Sequence, residues 1–199
     1  MEDPFALVDK NCIKCDLHFA RTNVVPGFGN TKAKIVFIGE APGKNEDIQR
    51  VPFVGAAGKK FDSQILNFLE LSRNEIAILN AVKCRPVKNG KNTAPSYQQV
   101  GVCAFEYLYK QLLTINPKIA VIMGRIALYA LTTDLPNSIS EVRGSVLNKK
   151  YVDPQLLDHI KFFVLAHPAV MIYNVDEEVT KGKYKKDLTN LKQLIKEVL

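Results

Sequence analysis

The sequence predicts an α/β fold: a three-layer α/β/α sandwich built on a central four-stranded, mainly parallel sheet. Four short runs predict the strands, because each is almost continuously apolar, as strands buried on both faces of a parallel sheet are. Amphipathic helical patterns between the runs predict the outer layers. Length agrees, since 199 residues suit one α/β domain over 1–199 and fall short of two.

The first run, KIVFI at 34–38, leads into the glycine-bearing turn GEAPG at 39–43. After it, Phe61, Ile65, Phe68 and Leu69 recur at i, i+4, i+7 and i+8 and read as one helix face. The second run, IAILN at 76–80, ends on Asn80. Residues 87–96, VKNGKNTAPS, read as a polar loop carrying Gly and Pro. Phe105, Leu108, Leu112 and Leu113 make a second helical stripe, and Pro117 stops it ahead of the third run, IAVIM at 119–123. The fourth run is KFFVL at 161–165, and a closing helix follows from Leu188, Leu191, Leu194, Ile195 and Val198. Strands joined by helices imply right-handed crossovers, and such sheets do their chemistry beyond the carboxyl ends of their strands. That rule directs attention to GEAPG (39–43), NAVKCRP (80–86), Gly124 with Arg125, and AHP (166–168).

Composition narrows the class. With 47% apolar and 24% charged residues, a disordered tail and a fibrous repeat are excluded. Lys and Arg outnumber Asp and Glu by 27 to 20, a net charge of +7 that favours a polyanionic partner. No apolar run reaches the roughly 18 residues of a membrane span. The first residues, MEDP, carry neither part of a signal peptide. A cytoplasmic, soluble protein is expected.

Cys12 and Cys15 form a C-x-x-C pair, and Cys84 and Cys103 follow with 18 residues between them. Brought together by folding, four thiolates suit either a zinc ion or a [4Fe–4S] cluster, and spacing does not separate the two. The competing reading is four unrelated buried thiols; a disulfide fits a reducing cytosol least. The turns GEAPGK (39–44) and GAAGK (55–59) suggest phosphate loops, but neither has four residues between its glycines or a Ser/Thr after its Lys. What remains is backbone able to approach a ligand closely.

Taken together, GEAPG (39–43), Glu46 with Asp47, PFVGAAG (52–58), NAVKCRP (80–86) and AHP (166–168) resemble the motifs of the family 4 (iron–sulfur) uracil-DNA glycosylases. Residues 21–29 and Arg143 with Gly144 also match family positions, so the resemblance runs in order over roughly residues 10–175. It implies that Cys12, Cys15, Cys84 and Cys103 hold a structural [4Fe–4S] cluster, with zinc the lesser candidate. It further implies a monofunctional enzyme, acting as a monomer near the nucleoid, that hydrolyses the N-glycosidic bond of deoxyuridine in double- or single-stranded DNA. No membrane is involved. The alternative is a non-catalytic module that binds uracil or DNA on the same fold.

Physical roles follow for the matched residues. An extruded uracil would lie among Gly39, Ala41, Phe53 and Asn80, stacked on the Phe53 ring and read at O4 and N3–H by the Asn80 carboxamide. His167 would donate an N–H to the negative charge that develops on uracil O2. Related families with a direct Asp base place it where this chain has Ala41, so a nearby acid must position the water. Glu40, Glu46 and Asp47 are the candidates, the last two ranked first. Arg85, Arg143 and Lys59 are the expected phosphate contacts. The chain departs from the family at Arg50, which stands for a usual Gly, and after the His-Pro pair at Ala169 and Tyr173. There Met171, Ile172 or Tyr173 could wedge into the base stack.

Overall fold

Five strands, not four, form the central sheet of the computed structural model, which describes residues 2–132, 138–154, 156, 158–173 and 177–199. In chain order they are β1 (Phe28–Gly29), β2 (Ile35–Gly39), β3 (Ala77–Asn80), β6 (Ile119–Met123) and β7 (Lys161–Leu165). Between β3 and β6, β4 (Val87–Lys88) and β5 (Lys91–Asn92) pair as a separate two-stranded ribbon inside the stretch expected to be a loop. The sheet order is β1-β3-β2-β6-β7. All pairings are parallel except β1 with β3. The four apolar runs are thus the four parallel strands. The fifth escapes a pattern search because two residues carry no period.

Side chains alternate across the sheet and feed two cores. Val36 and Ile38 face one, with Leu79, Leu108 and Leu112; Ile35 and Phe37 face the other, with Phe61, Ile65 and Leu191. The helices are α1 (Lys44–Gln49), α2 (Ala56–Lys60), α3 (Asn67–Leu69), α4 (Tyr97–Cys103), α5 (Tyr109–Ile115), α6 (Arg125–Tyr129), α7 (Ile139–Val142), α8 (Val170–Tyr173) and α9 (Glu177–Val198). A π-helical segment, Phe61–Leu66, joins α2 to α3, and another, Ala104–Leu108, joins α4 to α5. The second corrects the expected stripe. Each wider π turn shifts the helix face, so Leu108 and Leu112 are buried while Phe105 and Leu113 are 62% and 43% exposed. Val100, Tyr107 and Ile115 take the inward positions instead. Among the described residues no helix is long and apolar enough to cross a membrane.

Register places the motifs. Gly39 pairs with Asn80 at the carboxyl ends of β2 and β3. Met123 pairs with Leu165, which sets Gly124 beside the segment that carries His167. Four sequence-distant turns therefore open on one edge.

Candidate active site

A cleft of about 460 Å³ lies on that edge, lined by Glu40, Ala41, Glu46, Phe53, Asn80 and His167 among others. Its volume is that of a pocket for a small organic group. Phe53 is 5% exposed and sits in the left-handed region at φ 56°, an unfavourable conformation for a bulky residue that marks a constrained site. Several groups hold it there. Arg73 donates to the carbonyls of Pro52 (3.2 Å) and Phe53 and pairs with Asp62 at 2.8 Å. Glu46 Oε1 accepts the N–H groups of Val54 (3.0 Å) and Gly55 (2.7 Å). Gly58 packs so tightly on the Phe53 carbonyl that a Cβ there would overlap it.

Gly39 does not itself line the cleft. A Cβ on it would lie 2.6 Å from both the Phe53 ring and Asn80 Oδ1, so its bare backbone is what lets these two approach. Asn80 is 3% exposed, and its Oδ1 is buried with no hydrogen-bond partner among the described residues. An unpaired buried carboxamide oxygen is costly and marks a place where a ligand donor belongs. The ring of His167 lies 6.0 Å from that of Phe53, centroid to centroid. Burial pushes its pKa down to about 4, so the ring is neutral at physiological pH. Its Nδ1 accepts the Ala169 N–H at 3.2 Å, which puts the remaining proton on Nε2.

The three candidate acids separate. Glu40 lines the cleft, its carboxylate makes no hydrogen bond among the described residues, and its pKa is raised by burial. Glu46 lines the cleft but spends one oxygen on the Phe53 loop. Asp47 corrects the expectation: it is 1% exposed, and its carboxylate accepts the N–H groups of Thr22 (3.0 and 2.9 Å) and Asn23 (2.8 Å). On α1, neighbouring residues point in different directions, so Glu46 facing the cleft turns Asp47 inward. Asp47→Asn is expected to cost about 1–3 kcal/mol of stability, because an amide cannot accept all these bonds, while the folded variant keeps its cleft. Chemical denaturation measures the first effect; an unchanged midpoint would show that Asp47 does not hold this segment.

The cations separate too. Arg143 pairs with Asp187 of α9 at 2.7 Å and anchors that helix, so it is not free for phosphate as expected. Arg85 donates to Asn92 Oδ1 at 2.6 Å, beside the cleft wall formed by Pro86, Asn92 and Thr93. Lys59 is exposed on α2 but does not line the cleft. Lys44 and Asn45, neither of them a contact expected from the sequence, do line it, as does Ile172, one of the three candidate wedge residues. Ile172 is also partly exposed, as a wedge requires; Met171 packs against the core, and the side chain of Tyr173 lies outside the described residues. Arg50 occupies a left-handed position at φ 61°, a conformation that favours glycine; its Nε donates to Asn23 Oδ1 at 2.7 Å.

Cys12, Cys15, Cys84 and Cys103 are all free thiols and line one cavity with Arg21, Lys83 and Tyr107. Arg21 approaches Cys84 Sγ at 3.6 Å, and the Lys83 N–H donates to Cys103 Sγ at 3.3 Å. Burial pushes Cys84 up to about 12 and Cys103 up to about 11, and pushes Lys83 down to about 8. Four soft donors, two N–H groups directed at sulfur and a buried ammonium fit an anionic tetrathiolate metal group. Among the described residues no three His, Cys, Asp or Glu side chains are gathered so as to hold a single metal ion.

Comparison with known proteins agrees with this geometry. The family description "Uracil DNA glycosylase superfamily" matches residues 26–192. A Type-4 uracil-DNA glycosylase of Archaeoglobus fulgidus is 38% identical over 187 residues, covering 92% of this chain and 88% of the relative. One from Sulfurisphaera tokodaii is 41% identical, covering 82% of this chain and 72% of the relative. One from Thermotoga maritima is 35% identical, covering 86% and 83%. A family match over residues 26–192 and relatives of this identity over most of the length mean that this chain belongs to the uracil-DNA glycosylase superfamily.

Proposed function

We propose that the protein is a monofunctional uracil-DNA glycosylase, hydrolysing the N-glycosidic bond of deoxyuridine in DNA to free uracil and leave an abasic site. The observation that carries this reading is the unpartnered Asn80 Oδ1 beside the Phe53 ring and the neutral His167 in one cleft. An extruded base enters that cleft and lies on Phe53, a contact of about 1–3 kcal/mol. Asn80 Oδ1 takes the uracil N3–H, and its amide N–H serves O4. As the C1′–N1 bond breaks, its electron pair passes to the base, and His167 Nε2–H stabilises the charge on O2. Water adds to the oxocarbenium-like C1′ and releases a proton, which neutralises the departing uracil anion. Glu40, with a free carboxylate in the cleft, positions that water, while Glu46 sets the Phe53 loop. Ala41 lines the same wall and Gly39 leaves room for it.

Cys12, Cys15, Cys84 and Cys103 hold a [4Fe–4S] cluster, which when bound supplies a rigid cross-link between the N-terminal segment and the residues around Arg85. The hydrolysis itself is redox-neutral. Arg85, Lys44 and Lys59 contact DNA phosphates, and residues 1–199 form one domain that acts as a monomer in the compartment that holds DNA.

Uracil release from a single-stranded oligonucleotide and from its U·G duplex, with a thymine control, tests the reading. Alkali-dependent scission at uracil alone is the expected result, and no release from a folded, iron-containing preparation would reduce the protein to a binding module. Zinc in place of iron and sulfide would remove the cluster from the account. The pH profile is a further check. Glu40 titrates above the ordinary carboxylate value and His167 at about 4. The rate should therefore fall on the acid side as Glu40 protonates, with His167 neutral above a pH of about 4. A limb centred near the ordinary histidine value would contradict the neutral ring.

A further inference from the structure

We infer that Lys83 is the positioning residue for Asn80 and ties the uracil-reading end of β3 to the thiol cavity, an inference that rests on the glycosylase reading above. Asn80 pairs with Gly39 on one side but stands beyond the last β1 partner on the other. β1 lies antiparallel to β3 with Phe28 opposite Ile78 and Gly29 opposite Ala77. Continued, that register sets Pro26 opposite Asn80, and proline has no N–H to give. The Asn80 carbonyl takes its donor from elsewhere: Lys83 Nζ, at 2.7 Å.

Lys83 is 1% exposed, and the rest of it is equally committed. Its carbonyl accepts the Val25 N–H at 2.8 Å, and its own N–H donates to Cys103 Sγ at 3.3 Å. One residue therefore joins the end of β3, the segment entering β1 and the thiol cavity. Among the described residues no carboxylate pairs with the ammonium. Lys83 lines the thiol cavity, and its ammonium donates to the Asn80 carbonyl.

The position of Asn80 matters because none of the described residues bonds its Oδ1. The carboxamide takes its place from the backbone that carries it and from the close approach of Gly39. Turned over, the same amide would match cytosine, so a loosened backbone loses selectivity before it loses DNA affinity.

The test uses iron-loaded protein and an oligonucleotide bearing 2′-fluoro-2′-deoxyuridine, whose fluorine suppresses cleavage, beside its 2′-fluoro-2′-deoxycytidine counterpart. Lys83→Met is expected to retain iron and its affinity for the cytosine strand, and to lose the preference for uracil at least 10-fold. Iron retained with the preference intact would overturn the inference, and so would an equal loss of affinity for both strands. If Lys83→Met does not fold, Lys83→Gln carries the test, since it keeps an N–H in the same space without the charge. Iron retained with at least a 3-fold loss of preference supports the inference, and an unchanged preference overturns it. Wild-type protein with no preference for uracil would instead sink the glycosylase reading itself.

Discussion

His167→Ala is expected to slow uracil release by about 10²–10³-fold, the loss that follows removal of one preorganised donor to a developing oxyanion. The structure makes this donor specific. The Ala169 N–H occupies Nδ1, so the neutral ring has a single N–H, on Nε2, to offer the cleft. Burial keeps the ring uncharged down to a pH of about 4, so no proton is added or lost across the working range. The effect belongs to kcat, because the charge on O2 exists only as the bond breaks. Affinity for the fluorinated substrate should change far less. His167→Gln, which retains an N–H, should recover part of the rate. A fall of less than about 3-fold in His167→Ala would remove His167 from the chemistry.

Gly58→Ala is expected to lower uracil release by about 100-fold or more, a loss that a shift of about 1 Å at a reacting group can produce. The added methyl overlaps the Phe53 carbonyl, which is backbone and cannot rotate away. That carbonyl is also held by Arg73, itself fixed by Asp62 and lying 5.9 Å from the Phe61 ring centroid. Displacing it takes the Phe53 ring out of its left-handed position and off the uracil plane. Unlike His167→Ala, the effect should appear in binding of the fluorinated substrate as well as in turnover. Near-normal binding would mean that Phe53 is not the stacking surface. Arg73→Met, which removes the clamp without adding bulk, should move Phe53 in the same direction by a smaller amount.

Much of the fold was legible because it rests on local pattern. Strands buried on both faces must be apolar throughout, so KIVFI, IAILN, IAVIM and KFFVL stand out, and the four parallel strands lie where those runs are. β1 and the β4–β5 ribbon were not legible, since two-residue strands owe their existence to the neighbour they pair with. Phe105 and Leu113 were misread for a related reason: a period of 3.6 residues assumes regular turns, and a π segment intervenes.

For the site, the sequence by itself determined which side chains are available: the Gly39, Asn80 and His167 turns, the four cysteines and the +7 charge. Only the tertiary structure decided which of them act together. Glu46 and Asp47 are indistinguishable on paper, yet α1 turns one toward the cleft and buries the other against Thr22 and Asn23. Arg143 looked free for phosphate until Asp187, 44 residues away, proved to hold it. Arg73 lies in no motif, and Lys83 lies inside NAVKCRP without a role that the string reveals, because their work is done on carbonyl oxygens, which every residue has and no pattern of side chains reveals. Residue chemistry is written in the chain, but orientation and partnership depend on distance, which is settled only when separate segments meet.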